Sequence, residues 1–179
     1  MNSQTEKTHG IDFATLSLRD ALDLAVLVEE EARDRYEELA TQLKMHHTEA
    51  PSLFFLKMMR IEELHRVALL EQRTKSFKDA PVTVTRDMLF DVEAPEYDEV
   101  RMNMTLKQAL TTALHAESKA HEFYVTALSS VKDEAVRALF AELAEEEVEH
   151  QTLVKAELAR LTPETDGEPD DFDDEPVAQ

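Results

Sequence analysis

The chain has 179 residues, 42% of them hydrophobic, enough for one domain with a real core. Its net charge of −20 would repel phosphate backbones, so nucleic acid is not an expected partner. It has no cysteine, which excludes disulfides, thiolate zinc sites, iron–sulfur clusters and a rubredoxin-type centre.

Only two glycines and six prolines occur, and Gly10 and Gly167 lie near the ends. A β-rich fold needs many tight turns, so an all-α fold of long helices is expected. Residues 1–16 are polar with scattered Ile11, Phe13 and Leu16, an irregular lead-in that can dock on the helices. The first helix is expected from Ser17, a cap with Asp20 three residues on, to about Lys44. Its apolar line is Leu18, Leu22, Ala25, Glu29, Ala32, Tyr36, Leu39 and Leu43, steps of three and four along one face. His46 and His47 read as loop residues. The second helix runs from about Pro51, a favourable first-turn residue, to about Ser76. Its face is Phe55, Met58, Glu62, His65, Leu69 and Gln72.

Residues 74–104 lose the period, hold Pro81, Pro95 and a Val82-Thr83-Val84 run, and allow one turn of helix at Arg86–Phe90. So long a stretch makes sense as a crossover along the length of a bundle, with the next helix starting at the far end. The third helix begins at Thr105, with Gln108 completing a capping box, and shows Leu106, Leu110, Ala113, Glu117, Ala120, Tyr124, Ala127 and Val131. After a link near Ser129–Asp133 the fourth shows Phe140, Leu143, Glu147, His150, Val154 and Leu161. The bundle therefore spans residues 17–161. Residues 162–179 are acidic and proline-rich and read as a disordered tail.

The halves repeat. Ser17, Glu29 and Tyr36 match Thr105, Glu117 and Tyr124 at an offset of 88, and Phe55, Glu62 and His65 match Phe140, Glu147 and His150 at 85. Two copies of one helical hairpin, related by a pseudo-twofold axis, would bring Glu29 and Glu117 together near mid-height. A carboxylate on an apolar seam is costly, by several kcal/mol or more if unpaired, and two divalent cations would remove that cost. One Glu from each of two helices plus Glu-x-x-His from each of the other two is the di-iron or di-manganese pattern. Glu29, Glu62, His65, Glu117, Glu147 and His150 are therefore the expected metal ligands. Carboxylate and imidazole suit Fe, Mn or Zn, and open coordination positions favour redox chemistry on Fe. A lone Glu-x-x-His in so acidic a chain would be noise; the concurrence of registered pairs, seam glutamates and twin tyrosines carries the reading. Tyr36 and Tyr124 are expected to donate to carboxylates across the bundle. His121, one turn from Glu117, is a candidate ligand by spacing, but the repeat has Arg33 at the matching position, so it is expected to flank the site, exposed.

The Glu-x-x-Ala-x-x-x-Tyr stretches at Glu29–Tyr36 and Glu117–Tyr124, with the two Glu-x-x-His pairs, resemble the rubrerythrin-like branch of the ferritin-like superfamily over about residues 17–161. The resemblance implies an up-down-down-up four-helix bundle, a di-iron centre with Glu62 and Glu147 as bridges, reaction with hydrogen peroxide or dioxygen, and a homodimer, for which the long crossover would allow exchange of hairpins. Two departures stand out. A rubredoxin domain typical of rubrerythrins is not found in this cysteine-free chain, so electrons are expected from an external donor or from Fe²⁺ itself. A further glutamate three residues after the first in the third helix is Ala120 here. The symmetric ligand set also resembles bacterioferritin, but the residue after Glu62 is Glu63 where that family places its haem-ligating Met, so no haem of that kind is expected.

Three functions are consistent with this reading: a di-iron oxidoreductase acting on peroxide or dioxygen, a ferroxidase or iron-handling protein, and a structural di-metal bundle without turnover. No stretch nears the roughly 20 apolar residues of a membrane span and no signal-peptide core opens the chain, so no membrane partner and a cytoplasmic location are expected.

Overall fold

The computed structural model describes residues 11–89, 92–95 and 103–162. The chain forms four long helices, α1 (Leu18–Met45), α2 (Glu49–Phe77), α3 (Leu106–Leu128) and α4 (Glu134–Arg160), plus a 3₁₀ turn at Arg86–Met88. No strand occurs among the described residues. None of the described helices is long and apolar enough to cross a membrane.

The caps fix where the helices start. Ser17 accepts from the Asp20 backbone N–H at 3.2 Å and donates its hydroxyl to the Asp20 carboxylate at 2.7 Å. Thr105 and Gln108 form the expected capping box, each side chain accepting from the other's backbone N–H. Asp133 caps α4 through the Ala135 and Val136 amides. α2 starts two residues before the sequence suggests: Pro51 is still in the first turn, where no intrahelical partner is lost. His46 and His47 are exposed in the α1–α2 turn.

Buried side chains fall into two apolar clusters. The lower joins Leu22, Val28, Leu69, Phe123, Tyr124, Phe140 and Leu143; the upper joins Tyr36, Leu43, Phe55, Met58, Leu110 and Val154. Along α1 the lower cluster comes first, along α2 and α3 the upper, along α4 the lower again. The bundle is therefore up-down-down-up, and the connection between α2 and α3 spans its height. In each helix the change of cluster falls at a glutamate: Glu29, Glu62, Glu117 and Glu147. All four are at most 2% exposed. Each of the large apolar side chains around them contributes about 1.5–3 kcal/mol by leaving water.

The lead-in docks. Phe13 is buried with its ring edge-on to Phe123 and Phe140, centroids 5.9 and 6.2 Å away. Residues 1–10 and the disordered tail expected beyond Thr162 lie outside the described residues. Two apolar positions are corrected. Gln72 is exposed and Arg73 takes the buried place four residues after Leu69, because a helix of 3.6 residues per turn drifts off a fixed three–four line. Val131 is buried but lies past the end of α3.

The crossover is held by side chains of the bundle. Arg73 donates to Asp23 at 2.7 Å and to the carbonyls of Lys78 and Ala80. Arg86 reaches Glu30 and Asp34, both at 2.6 Å. Further on, the Pro95 carbonyl accepts from Arg35 at 2.6 Å and the Ala94 carbonyl from Lys119 at 3.1 Å. The turn expected at Arg86–Phe90 is a 3₁₀ turn ending at Met88; Phe90 is outside the described residues.

Candidate metal centre

The six residues that the sequence singles out converge between the two clusters. Donor atoms of Glu62, His65 and His150 lie within 4.8 Å of one another, as do those of Glu117, Glu147 and His150. Glu29 joins through Glu62. His150 Nδ1 is 2.9 Å from Glu117 Oε2, 3.7 Å from Glu147 Oε2 and 3.9 Å from Glu62 Oε1. The imidazoles of His65 and His150 face each other with centroids 4.9 Å apart.

The two tyrosines differ. Tyr36 donates its hydroxyl to Glu117 Oε1 at 2.6 Å, from α1 to α3 across the core. Tyr124 is equally buried, yet its hydroxyl has no hydrogen-bond partner among the described residues. The flanking histidine is also corrected: His121 is half-buried, not exposed, and stands outside the donor clusters found among the described residues. Glu63, next to Glu62, turns away to pair with Arg66 at 2.8 Å and with Arg33.

A seventh residue belongs here and comes from outside the helices. Glu93, in the crossover, is 1% exposed, and its carboxylate lies within 4.8 Å of those of Glu29 and Glu62. No periodicity runs through residues 74–104, so no face could be drawn there. The only trace in the sequence is a single acid between Val92 and Ala94-Pro95.

Electrostatics follow from the burial. Burial pushes Glu29 up to about 8 and raises Glu62, Glu93 and Glu147 well above the carboxylate range, with their mutual repulsion adding to it. Burial works to lower His150, but the contact with Glu117 and the surrounding carboxylates outweigh it and raise it. His65, at the rim beside Glu146, is lowered by burial and by His150. Tyr36 and Tyr124 are held protonated by burial among negative charge.

The donor set fits a pair of divalent cations. Buried oxygens of Glu29, Glu62, Glu93 and Glu147 have no hydrogen-bond partner among the described residues, and such groups are costly unless something positive meets them. Oxygen and imidazole without sulfur is a set for Fe, Mn or Zn.

The fold agrees with what the chain is similar to. It matches a crystallised uncharacterized conserved protein from Magnetospirillum magnetotacticum MS-1 at 28% identity and a TM-score of 0.64, covering 82% of this chain and 97% of that one. It also matches a hypothetical protein from Pyrococcus furiosus at 26% identity and a TM-score of 0.54, covering 82% and 90%. A comparison with functionally curated proteins found no match. The rubrerythrin family model matches residues 20–158, spanning all four helices and every glutamate and histidine of the cluster. The chain therefore belongs to the rubrerythrin family, whose members are ferritin-like bundles built around a di-iron carboxylate centre.

Proposed function

We propose that the centre holds two iron ions and that the protein is a non-haem oxidoreductase acting on hydrogen peroxide or dioxygen. The observation that carries this reading is the set of buried, donorless carboxylates converging with two imidazoles between the apolar clusters. Bound iron would supply the electron transfer to the oxidant.

The chain's own residues do the rest. Glu29, Glu62, His65, Glu117, Glu147 and His150 would hold the ions, with Glu62 and Glu147 the carboxylates expected to be shared between them. The Tyr36 hydroxyl fixes the rotamer of Glu117 by occupying Oε1 and leaves Oε2 to face the centre. The Tyr124 hydroxyl, still protonated at neutral pH, is a donor for an oxygen atom arriving at the opposite side. The lower and upper clusters keep water from the centre along the bundle axis. The half-buried His65 and Glu146 mark the side where a small oxidant enters. A separate donor returns the electrons.

One feature favours ferroxidase or iron-handling activity as the second reading. The rim near His65 is acidic, with Glu142 and Glu149 close enough to Glu146 to raise its pKa alongside burial, and such a rim draws Fe²⁺.

Anaerobic titration with Fe²⁺, followed by peroxide or dioxygen with and without a reductant, tests both. The expected result is saturation at about two Fe per chain, ferric absorption on oxidation, and repeated peroxide consumption when reductant is present. Oxidation that proceeds once and then releases or stores ferric iron would favour the second reading. Failure to bind Fe²⁺ stoichiometrically would reject both.

A further inference from the structure

The internal repeat accounts for six donors, three per half, but the crossover occurs only once, and Glu93 has no counterpart. Its position is built. Val92 and Ala94 are fully buried. The two carbonyls after Glu93 are each gripped by a cation from the bundle, Ala94 by Lys119 of α3 and Pro95 by Arg35 of α1. These grips hold the backbone while the Glu93 side chain reaches Glu29 and Glu62. Neither of its carboxylate oxygens has a hydrogen-bond partner among the described residues. A surface glutamate would not be placed so: it has been carried inward, among like charges that Lys119 offsets only in part.

We infer that Glu93 is a metal ligand delivered by the crossover, so that loading the centre fastens the crossover to the bundle and makes the two metal positions unequal. The inference rests on the di-metal reading above. The position bounded by Glu29, Glu62 and Glu93 gains a carboxylate that the position at Glu117, Glu147 and His150 does not have. In the metal-free chain the two carbonyl contacts and the burial of Val92 and Ala94 hold this segment against the bundle.

The test uses the full chain, Mn²⁺ as a probe, and two variants, Glu93→Gln and Glu93→Ala. Amide exchange at Val92–Ala94 and Mn²⁺ binding isotherms are measured together with the denaturation midpoint in chelator. In the wild-type chain, Mn²⁺ is expected to slow exchange at these amides, with two binding phases. In both variants that slowing is expected to disappear and one phase to weaken about tenfold or more while the other is kept. Midpoints in chelator are expected to stay level or rise, since a buried carboxyl without a partner has gone. Variants that take both ions with wild-type affinity and wild-type slowing would overturn the inference and leave the di-metal centre standing. A lower midpoint in chelator for Glu93→Gln would give Glu93 a structural role instead and also overturn it. A wild-type chain that binds no Mn²⁺ or Fe²⁺ would bring down the di-metal reading itself, and this inference with it.

Discussion

Tyr36 and Glu117 are joined by a 2.6 Å hydrogen bond that crosses the bundle from the first half of the repeat to the second, and the return bond is absent because the Tyr124 hydroxyl meets no acceptor. The sequence repeat is symmetric; the site it builds is not. The asymmetry separates two otherwise matched substitutions. Tyr36→Phe leaves a buried Glu117 oxygen without its donor and is expected to cost about 1–3 kcal/mol in chelator. Tyr124→Phe removes a buried hydroxyl that had no partner and is expected to be neutral or slightly stabilising. Urea denaturation of both variants in chelator checks this; equal losses would refute the asymmetry.

The metal-free protein is expected to lose stability as pH rises. Glu29 keeps its proton in the folded chain up to about pH 8, whereas its ordinary value is 4.5. Between those limits the folded state binds a proton that the unfolded state has released. Stability is therefore fully present below about 4.5 and declines by about 1.4 kcal/mol per pH unit for each such group. Glu62, Glu93 and Glu147 are raised in the same direction. His150, also raised, adds the same trend above its ordinary 6.5. Metal must displace these protons, so affinity is expected to rise with pH and binding to acidify an unbuffered solution. Denaturation midpoints in chelator across pH 5–8.5 and a proton-release titration read both effects.

Glu62→Leu separates folding from function. It removes a fully buried carboxylate with two unpartnered oxygens. In chelator the variant is expected to be more stable by about 1–3 kcal/mol. The same substitution should abolish stoichiometric binding of the second metal, measured by titration. A variant destabilised in chelator would show that Glu62 is held by something other than a cation.

The buried pair Asp23 and Arg73 lies below the centre and ties α1 to the end of α2 and to the Lys78 and Ala80 carbonyls. Arg73→Met would strand a buried carboxylate and is expected to lower the melting temperature. The double variant Asp23→Leu/Arg73→Met should recover part of that loss, because no charge is then left unpaired.

Helix order, the caps at Ser17 and Thr105, the crossover and six residues of the cluster were legible because each leaves a local or periodic mark. A cap sits at a fixed distance from its partner amide, and a seam residue repeats every three or four positions. Glu93 left no such mark. A carboxylate in an aperiodic stretch is indistinguishable from a solvated one until the chain around it is folded. Gln72 and Arg73 show the limit from the other side, since a difference of one position at the end of a long helix is settled by the partner across the interface, here Asp23.

The sequence by itself determined that the chain folds as two equivalent helical hairpins with charged residues on their inner seams, because hydrophobic period and capping are properties of neighbours a few residues apart. Only the tertiary structure decided that the symmetry breaks. Tyr36 reaches Glu117 while Tyr124 reaches nothing, and the single crossover brings Glu93 to one side of the centre. Those relationships depend on distances between segments dozens of residues apart, which packing sets and no local pattern encodes.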